Sequence, residues 1–142
     1  YVKEFVRDVN RARVLTAWAA MQQISPMDLA TSPEQALTNT NRNGRKIMFV
    51  TDQGNRYRGY VDVNDLTEAI KRGDSNLRQS LRVNAATAHR DQFLDELLAI
   101  AANSSLPIAV LDDEHQFLGE LTSQRTLAAL ASVLDGENGP GK

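Results

Sequence analysis

No cysteine occurs among the 142 residues, which excludes disulfides, thiolate metal sites and a cysteine nucleophile together and fits a reducing compartment. No apolar run approaches the roughly 20 residues that span a bilayer, and the first residues lack the charged stretch and apolar core of a signal peptide. The Gly-Lys-Ser/Thr loop that cradles nucleoside triphosphates is missing, so no ATPase activity is expected within these residues. Only two histidines are present, His89 and His115. Neither has a serine or carboxylate at a nucleophile spacing, and no hydrolytic triad is expected. A positive excess is missing too. The 16 Lys and Arg against 18 Asp and Glu leave a net charge of −2, which argues against nucleic acid as a partner, since phosphate backbones are bound by strongly basic surfaces.

The charge is uneven along the chain. Residues 1–72 carry eleven Lys/Arg against eight Asp/Glu, and residues 73–142 carry five against ten. Such a dipole either orients the chain against a charged partner or is an ordinary solvated surface. The length suits one compact domain or two small halves with a shared core, and a chain of this size buries roughly 68–70% of its unfolded surface without disulfide or metal staples.

What is present is a repeat at an offset of 60 residues. Asp52 and Asp112 close two similar apolar runs, and Gly59 and Gly119 each follow seven residues later. Leu37 with Leu97, Val50 with Val110 and Ala69 with Ala129 keep the same offset. An offset held through a helix, two strands and a second helix reads as tandem duplication of one supersecondary unit. A duplicated unit brings two related halves with a cleft between them, where a ligand is expected.

The local signals agree. Residues 1–9 place Val2, Phe5, Val6 and Val9 on one helical face, giving an amphipathic helix outside the repeat. Thr16 caps a short helix through Met21, and Ser32-Pro33-Glu34-Gln35 opens another, with proline at the first helical position. Residues 46–51 form a strand, Asp52-Gln53-Gly54-Asn55 a hairpin turn, and residues 56–62 the return strand. Asn64 or Asp65 starts the next helix, which Gly73 stops. In the second copy Asp91 caps a helix through Ala101, strands follow at 107–111 and 116–122 around an Asp112 turn, and Ser123 begins the closing helix. Extended pieces at 27–30 and 82–85 precede the two copies. Residues 135–142 have no apolar periodicity and are expected to be a disordered tail.

A tandem β-α-β-β-α unit of this kind resembles the cystathionine β-synthase (CBS) domain pair, the Bateman module. The segments that carry the likeness are Ile47-Met48-Phe49-Val50-Thr51-Asp52 with Gly59-Tyr60-Val61-Asp62, and Pro107-Ile108-Ala109-Val110-Leu111-Asp112 with Gly119-Glu120-Leu121-Thr122. The resemblance implies an α/β (α+β) fold of two repeats, at 16–75 and 76–134, related by a pseudo-twofold axis. Residues 1–15 are similar to the connector between the ATPase domain and the CBS pair in ATP-binding subunits of glycine betaine/proline ABC importers. By that likeness the chain is a non-catalytic regulatory part of an ABC-type ATPase, cut from a longer protein with an upstream ATPase domain. It would homodimerise through its CBS pair, sit with the permease subunits at the cytoplasmic face of the membrane, and report osmotic state. The alternative is a freestanding sensor of adenosine nucleotides that regulates another protein.

In nucleotide-binding CBS pairs the second strand ends in Gly-apolar-apolar-Thr/Ser-x-x-Asp, the hydroxyl serving phosphate and the carboxylate the ribose hydroxyls. The first copy reads Gly59, Asp62, Asp65 and the second Gly119, Thr122, Arg125, so neither carries the whole pattern. Asp62, Asp65, Thr122 and Arg125 are the candidate ligand residues. Arg125 pairs either with a phosphate or with Asp62 or Asp65. Three readings stay open: an adenine nucleotide, another anionic ligand such as cyclic di-AMP, or no small molecule and a response to ionic strength. No firm cofactor is implied. The Asp112-Asp113-Glu114-His115 segment reads as a solvated turn rather than a metal site, and Trp18 as core rather than cofactor-facing. The group Arg42, Arg45, Lys46, Arg56 and Arg58 reads as ordinary surface, because strand alternation scatters it over two faces.

Overall fold

The structure is a computed structural model and describes residues 15–138. The amphipathic helix expected at 1–9, the rest of the connector up to residue 14, and residues 139–142 lie outside the described residues.

Helix α1 (Ala17–Ala20) is followed by β1 (Met27–Asp28), α2 (Pro33–Arg42), β2 (Ile47–Thr51), β3 (Tyr57–Asp62), α3 (Val63–Arg72) and a 3-10 turn at Arg78–Ser80. The second copy runs β4 (Thr87–His89), α4 (Leu94–Asn103), β5 (Ile108–Leu111), β6 (Phe117–Leu121) and α5 (Ser123–Asn138). The copies form two three-stranded sheets of order β1-β2-β3 and β4-β5-β6. In each, the first two strands are parallel, Met27 pairing with Val50 and Ala88 with Val110. A parallel pair needs a crossover, and α2 and α4 supply it.

The helix starts follow from side-chain oxygens. Thr16 Oγ1 accepts from Ala19 N at 3.3 Å, and Ser32 Oγ from Gln35 N at 3.2 Å. Glu34 in the first turn of α2 and Arg42 in its last complement the helix dipole. Helix α3 begins earlier than the sequence suggests. Its cap is Asp62, whose carboxylate accepts from Asp65 N at 2.7 Å, and it ends on Gly73 in the left-handed region at φ 79°. Helix α4 has no side-chain cap; Phe93 rather than Asp91 occupies that position, and Leu94 N donates to Leu15 O at 2.8 Å. The extended piece before the second copy is β4 at Thr87–His89, not 82–85; Arg82 instead bridges Tyr60. Helix α5 continues to Asn138, into the segment expected to be disordered, because extending an existing helix costs far less than nucleating one.

Both hairpins are built on aspartate. Asp52 Oδ1 accepts from Gly54 N (3.0 Å) and Arg56 N (3.1 Å), and Asp112 Oδ1 from Glu114 N and Gln116 N (both 2.9 Å). Asn55 and His115 take the matching left-handed positions at φ 61° and 65°. Asp112 thus acts within its own turn, and among the described residues no group of three or more His, Cys, Asp or Glu is placed to hold a metal.

The residues divide into two compact units cut differently from the sequence repeats. One comprises 24–85 with 112–117; the other comprises 86–111 and 118–138, and takes 15–23. The reason lies in what the outer segments bury. Ala17, Ala20 and Met21 join the core of Leu94, Leu97 and Leu121. Leu77, fully buried, joins the core of Met27, Leu29 and Leu66, and its N–H donates to Leu29 O at 3.1 Å. Burying a leucine is worth roughly 1.5–3 kcal/mol, enough to fix each segment in its unit. Trp18 lies on the opposite side of α1 from Ala17 and Ala20 and is 42% exposed, contrary to the core position expected. Its face is covered by the Arg90 guanidinium, 4.2 Å from the ring centre, a cation–π contact.

Candidate functional site

The candidate residues fall into two places, one in each unit. In the unit of 24–85 they stand where β3 turns into α3. Strand β3 ends opposite the start of β2, Asp62 paired with Ile47, so the chain enters the helix with Asp62 at the cap and Asp65 one turn along. Both carboxylates face Arg82. Its guanidinium grips Asp65 bidentately, through Nε on Oδ2 and Nη2 on Oδ1 at 3.0 Å, and stands 3.7 Å from Asp62 Oδ2. Bidentate arginine–carboxylate pairs are among the stronger charge-assisted contacts. The hydrogen bonds from Arg82 outweigh the opposing effect of burial and, helped by the charge of Arg82, by Asp62 and by Arg72, hold the Asp65 carboxyl below its usual pKa. The same partnership raises Arg82 further into its charged form.

Arg82 is placed by its backbone. Tyr60 N donates to Arg82 O at 2.9 Å and Arg82 N returns to Tyr60 O at 2.8 Å. Tyr60 Oη donates to Asn84 Oδ1 at 2.8 Å. Gly59 makes this approach possible, for an added Cβ would lie 2.3 Å from Arg82 O. Sequence reasoning missed Arg82 because it lies 17 residues beyond Asp65 with no motif around it. The signal available was the glycine: in the second copy Gly119 admits Gln22 O in the same way, with a hypothetical Cβ only 2.6 Å away.

In the other unit Thr122 and Arg125 stand together at the start of α5. Thr122 Oγ1 accepts from Arg125 N at 3.0 Å, the cap role that Asp62 fills in α3. Arg125 Nε donates to Ala20 O at 3.1 Å. The basic partner of Asp62 and Asp65 is therefore Arg82, whereas the Arg125 side chain donates to a backbone carbonyl.

Beside the Asp62 end of the first sheet lies a cavity of about 580 Å³, with Ile24, Met27 and Met48 as apolar walls and Asn39, Asn43 and Arg45 as polar groups. That volume is in the range of small-molecule sites. Neither Asp62 nor Asp65 lines it. Among the described residues no helix is long and apolar enough to cross a membrane.

No protein-family model matches the chain. Among curated proteins it is similar to the glycine betaine transport ATP-binding protein OpuAA of Bacillus subtilis, with 26% identity over 141 residues. The match takes in 99% of this chain and 34% of that protein, so the chain spans about a third of its relative's length. Among solved structures, CbpB in complex with c-di-AMP superposes with a TM-score of 0.82 at 12% identity, covering 96% of this chain and 97% of that one. The CBS-pair protein CBSX2 of Arabidopsis thaliana, in complex with AMP, gives 0.71 at 15% identity and covers 84% and 98% of the two chains. With two β-α-β-β-α repeats in register and this likeness, the chain is a CBS domain pair in fold, resembling the C-terminal region of the ATP-binding subunits of glycine betaine ABC transporters.

Proposed function

We propose that the chain is the regulatory module of the ATP-binding subunit of an osmoprotectant ABC importer for glycine betaine or proline, itself without catalytic activity. The observation that carries this reading is the similarity to a glycine betaine transport ATP-binding protein over 99% of the chain. The module homodimerises through its CBS pair, at the cytoplasmic face of the membrane beside the permease subunits. Ligand or ionic strength prefers one arrangement of that dimer, and residues 1–15 pass the preference to the ATPase domain as a population shift. A coupling of about 1–3 kcal/mol suffices.

Two input signals fit the residues. An adenine-type ligand, AMP or cyclic di-AMP, would set its base against Met27 and Met48 and its polar groups against Asn39, Asn43 and Arg45 of the same cavity; Thr122 and Arg125 are a separate candidate for phosphate in the other unit. The CbpB and CBSX2 likenesses support that chemistry. A ribose reaching Asp65 must first displace Arg82, so this copy carries a built-in competitor. Ionic strength is the second input, because the exposed Arg82 contact weakens as the Debye length shrinks.

A thermal-shift series with AMP, ADP, ATP and cyclic di-AMP at fixed salt separates the two. A ligand at a hundred times its Kd adds about 2.7 kcal/mol and raises Tm by roughly 2–8 °C. A specific rise identifies the effector; no rise with any of the four, together with a salt-dependent dimer equilibrium, supports the ionic reading. The importer reading itself fails where deletion of residues 16–134 from the whole subunit leaves the osmotic dependence of uptake unchanged. The second reading is the freestanding nucleotide sensor, supported by the likeness in fold to CbpB in complex with c-di-AMP. It predicts a nucleotide-dependent Tm rise with no effect on any betaine uptake.

A further inference from the structure

The basic residues of the first hairpin do not scatter as strand alternation suggested. Arg58 falls at the register shift between the Val50–Gly59 and Thr51–Tyr57 pairs, where simple alternation does not hold, and Arg56, Arg58 and Arg78 from the 3-10 turn line one cavity of about 550 Å³. The cavity lies at the C-terminal ends of β1 and β2, beside the Asp52 turn, whereas Asp62 is paired with Ile47 at the far end of β2. It is a different place from the one formed by Asp62, Asp65 and Arg82.

Its electrostatics are unbalanced. Two carboxylates line it, but both serve the backbone: Asp28 Oδ1 accepts from Ala30 N at 2.8 Å, and Asp52 Oδ1 from two amides of its turn. The remaining oxygen of Asp52 reaches only Arg58, at a loose 3.8 Å. The guanidinium groups of Arg56 and Arg78 have no acidic partner among the described residues. Three guanidinium groups against two carboxylates leave the lining one positive charge in excess around a cavity of small-molecule size, and guanidinium forks match phosphoryl oxygens bidentately.

We infer that this cavity binds the phosphoryl group of a soluble, phosphorylated small molecule, with Arg56 and Arg78 as the principal ligands and Arg58 shared with Asp52. The site is independent of the importer reading and of any nucleotide at Asp62, Asp65, Thr122 or Arg125.

Inorganic pyrophosphate is the probe. Amide NMR spectra of the 142-residue chain are recorded during titration at constant ionic strength, with sodium chloride as the reference. Saturable shifts are expected at the amides of Ala30, Gly54 and Asn76, which line the cavity. Arg56→Gln and Arg78→Gln are each expected to raise Kd about tenfold, the loss of one charge-assisted contact, and Lys71→Gln, at an exposed residue that lines neither cavity, to leave it unchanged. Both changed side chains are exposed, so the fold survives, and unaltered spectra elsewhere verify it. A linear drift without saturation, saturable shifts centred on other residues, or a Kd indifferent to both substitutions overturns the site. Tighter binding of an oligoglutamate peptide than of pyrophosphate overturns the phosphoryl assignment.

Discussion

Replacing Gly59 by alanine tests whether the contact between β3 and the segment at Arg82 holds the candidate site together. Gly59 has φ +142°, where L side chains are strained, and its new Cβ would fall 2.3 Å from Arg82 O and 3.3 Å from Leu81 Cγ. The first neighbour is backbone and cannot rotate away. To reach ordinary contact the two segments must part by about 1 Å, which carries the paired hydrogen bonds of 2.9 and 2.8 Å between Tyr60 and Arg82 beyond bonding range. Two lost bonds at about 1 kcal/mol each and a backbone strain of about 1–3 kcal/mol give a loss of roughly 3–5 kcal/mol. For a chain of this size that lowers Tm by about 10–15 °C. The comparison is Gly73→Ala, also at positive φ (79°) but with nothing within 4 Å of the added carbon; its cost is the left-handed penalty alone, about 1–2 kcal/mol. Thermal and urea unfolding followed by circular dichroism measure both. A Gly59→Ala chain no less stable than the Gly73→Ala chain refutes the steric argument. Where the loss is found, Arg82 has moved, and the Asp65 carboxyl should return towards its ordinary pKa by NMR.

The remaining predictions concern single groups. Asp65 has a lowered pKa in the folded chain, so its stabilisation is complete above the unfolded value of about 3.9 and is lost as pH falls through the folded value. The Tm difference between the parent and Asp65→Asn chains should therefore shrink steadily from pH 5 downwards; a difference that does not change with pH refutes it. Tyr57 is pushed up to about 12 by burial, with Tyr60 adding to the rise, so ultraviolet titration at pH 11 should find its phenol still protonated. Its hydroxyl is buried without a hydrogen-bond partner among the described residues, and Tyr57→Phe should be neutral or stabilising by about 1 kcal/mol; a clear destabilisation by urea unfolding contradicts this. Ser32→Ala removes the cap of α2 and should cost about 1 kcal/mol, read as a Tm fall of a few degrees.

What was legible in the sequence is what local chemistry decides. The Asp52 and Asp112 turns, the Thr16 and Ser32 caps and the strands between them need only neighbours in the chain. The errors arise where a distant segment decides. Asp91 looks like a cap, yet α4 starts later because Leu15 O takes the Leu94 amide and Ala17 N donates to Gln92 O. Asn64 and Asp65 are as suitable caps as Asp62, and it is the pairing of Asp62 with Ile47 that ends the strand there. The second parallel strand was expected at 82–85, five residues short of the 60-residue offset from 27–30 that would have placed it at its observed Thr87–His89; the pairing itself slips by only one residue, Met27 with Val50 but Ala88 with Val110. In the candidate site Asp62, Asp65, Thr122 and Arg125 were named from the Gly-apolar-apolar-Thr/Ser-x-x-Asp pattern that the resemblance to CBS pairs implies, whereas Arg82 and Arg78 enter through tertiary pairing alone.

The two copies keep one backbone design and invert its charge. Asp62 and Thr122 differ in type but do the same work, each offering an oxygen to the amide three residues on. A cap asks only for an acceptor, so the position is free to carry a carboxylate in one copy and a hydroxyl in the other. Tyr60 with Arg82 and Glu120 with Gln22 are likewise the same pair of backbone hydrogen bonds, at 2.8–2.9 Å in both. On that common frame the first copy sets an acid on the helix, Asp65, against a base on the crossing segment, Arg82. The second sets a base on the helix, Arg125, against the neutral Gln22, and the base turns to a carbonyl. The first copy therefore meets its own charge requirement internally, while the second retains a cation whose charge a carbonyl does not neutralise. An anionic effector should respond to Arg125→Gln far more than to Asp65→Asn. Conversely, Arg82→Gln frees the Asp65 carboxylate and should strengthen binding of ribose hydroxyls there relative to the parent chain. Calorimetric titration of the parent and the three variants with AMP and cyclic di-AMP measures both, and equal sensitivity to Arg125→Gln and Asp65→Asn would show that the inverted charge has no bearing on binding.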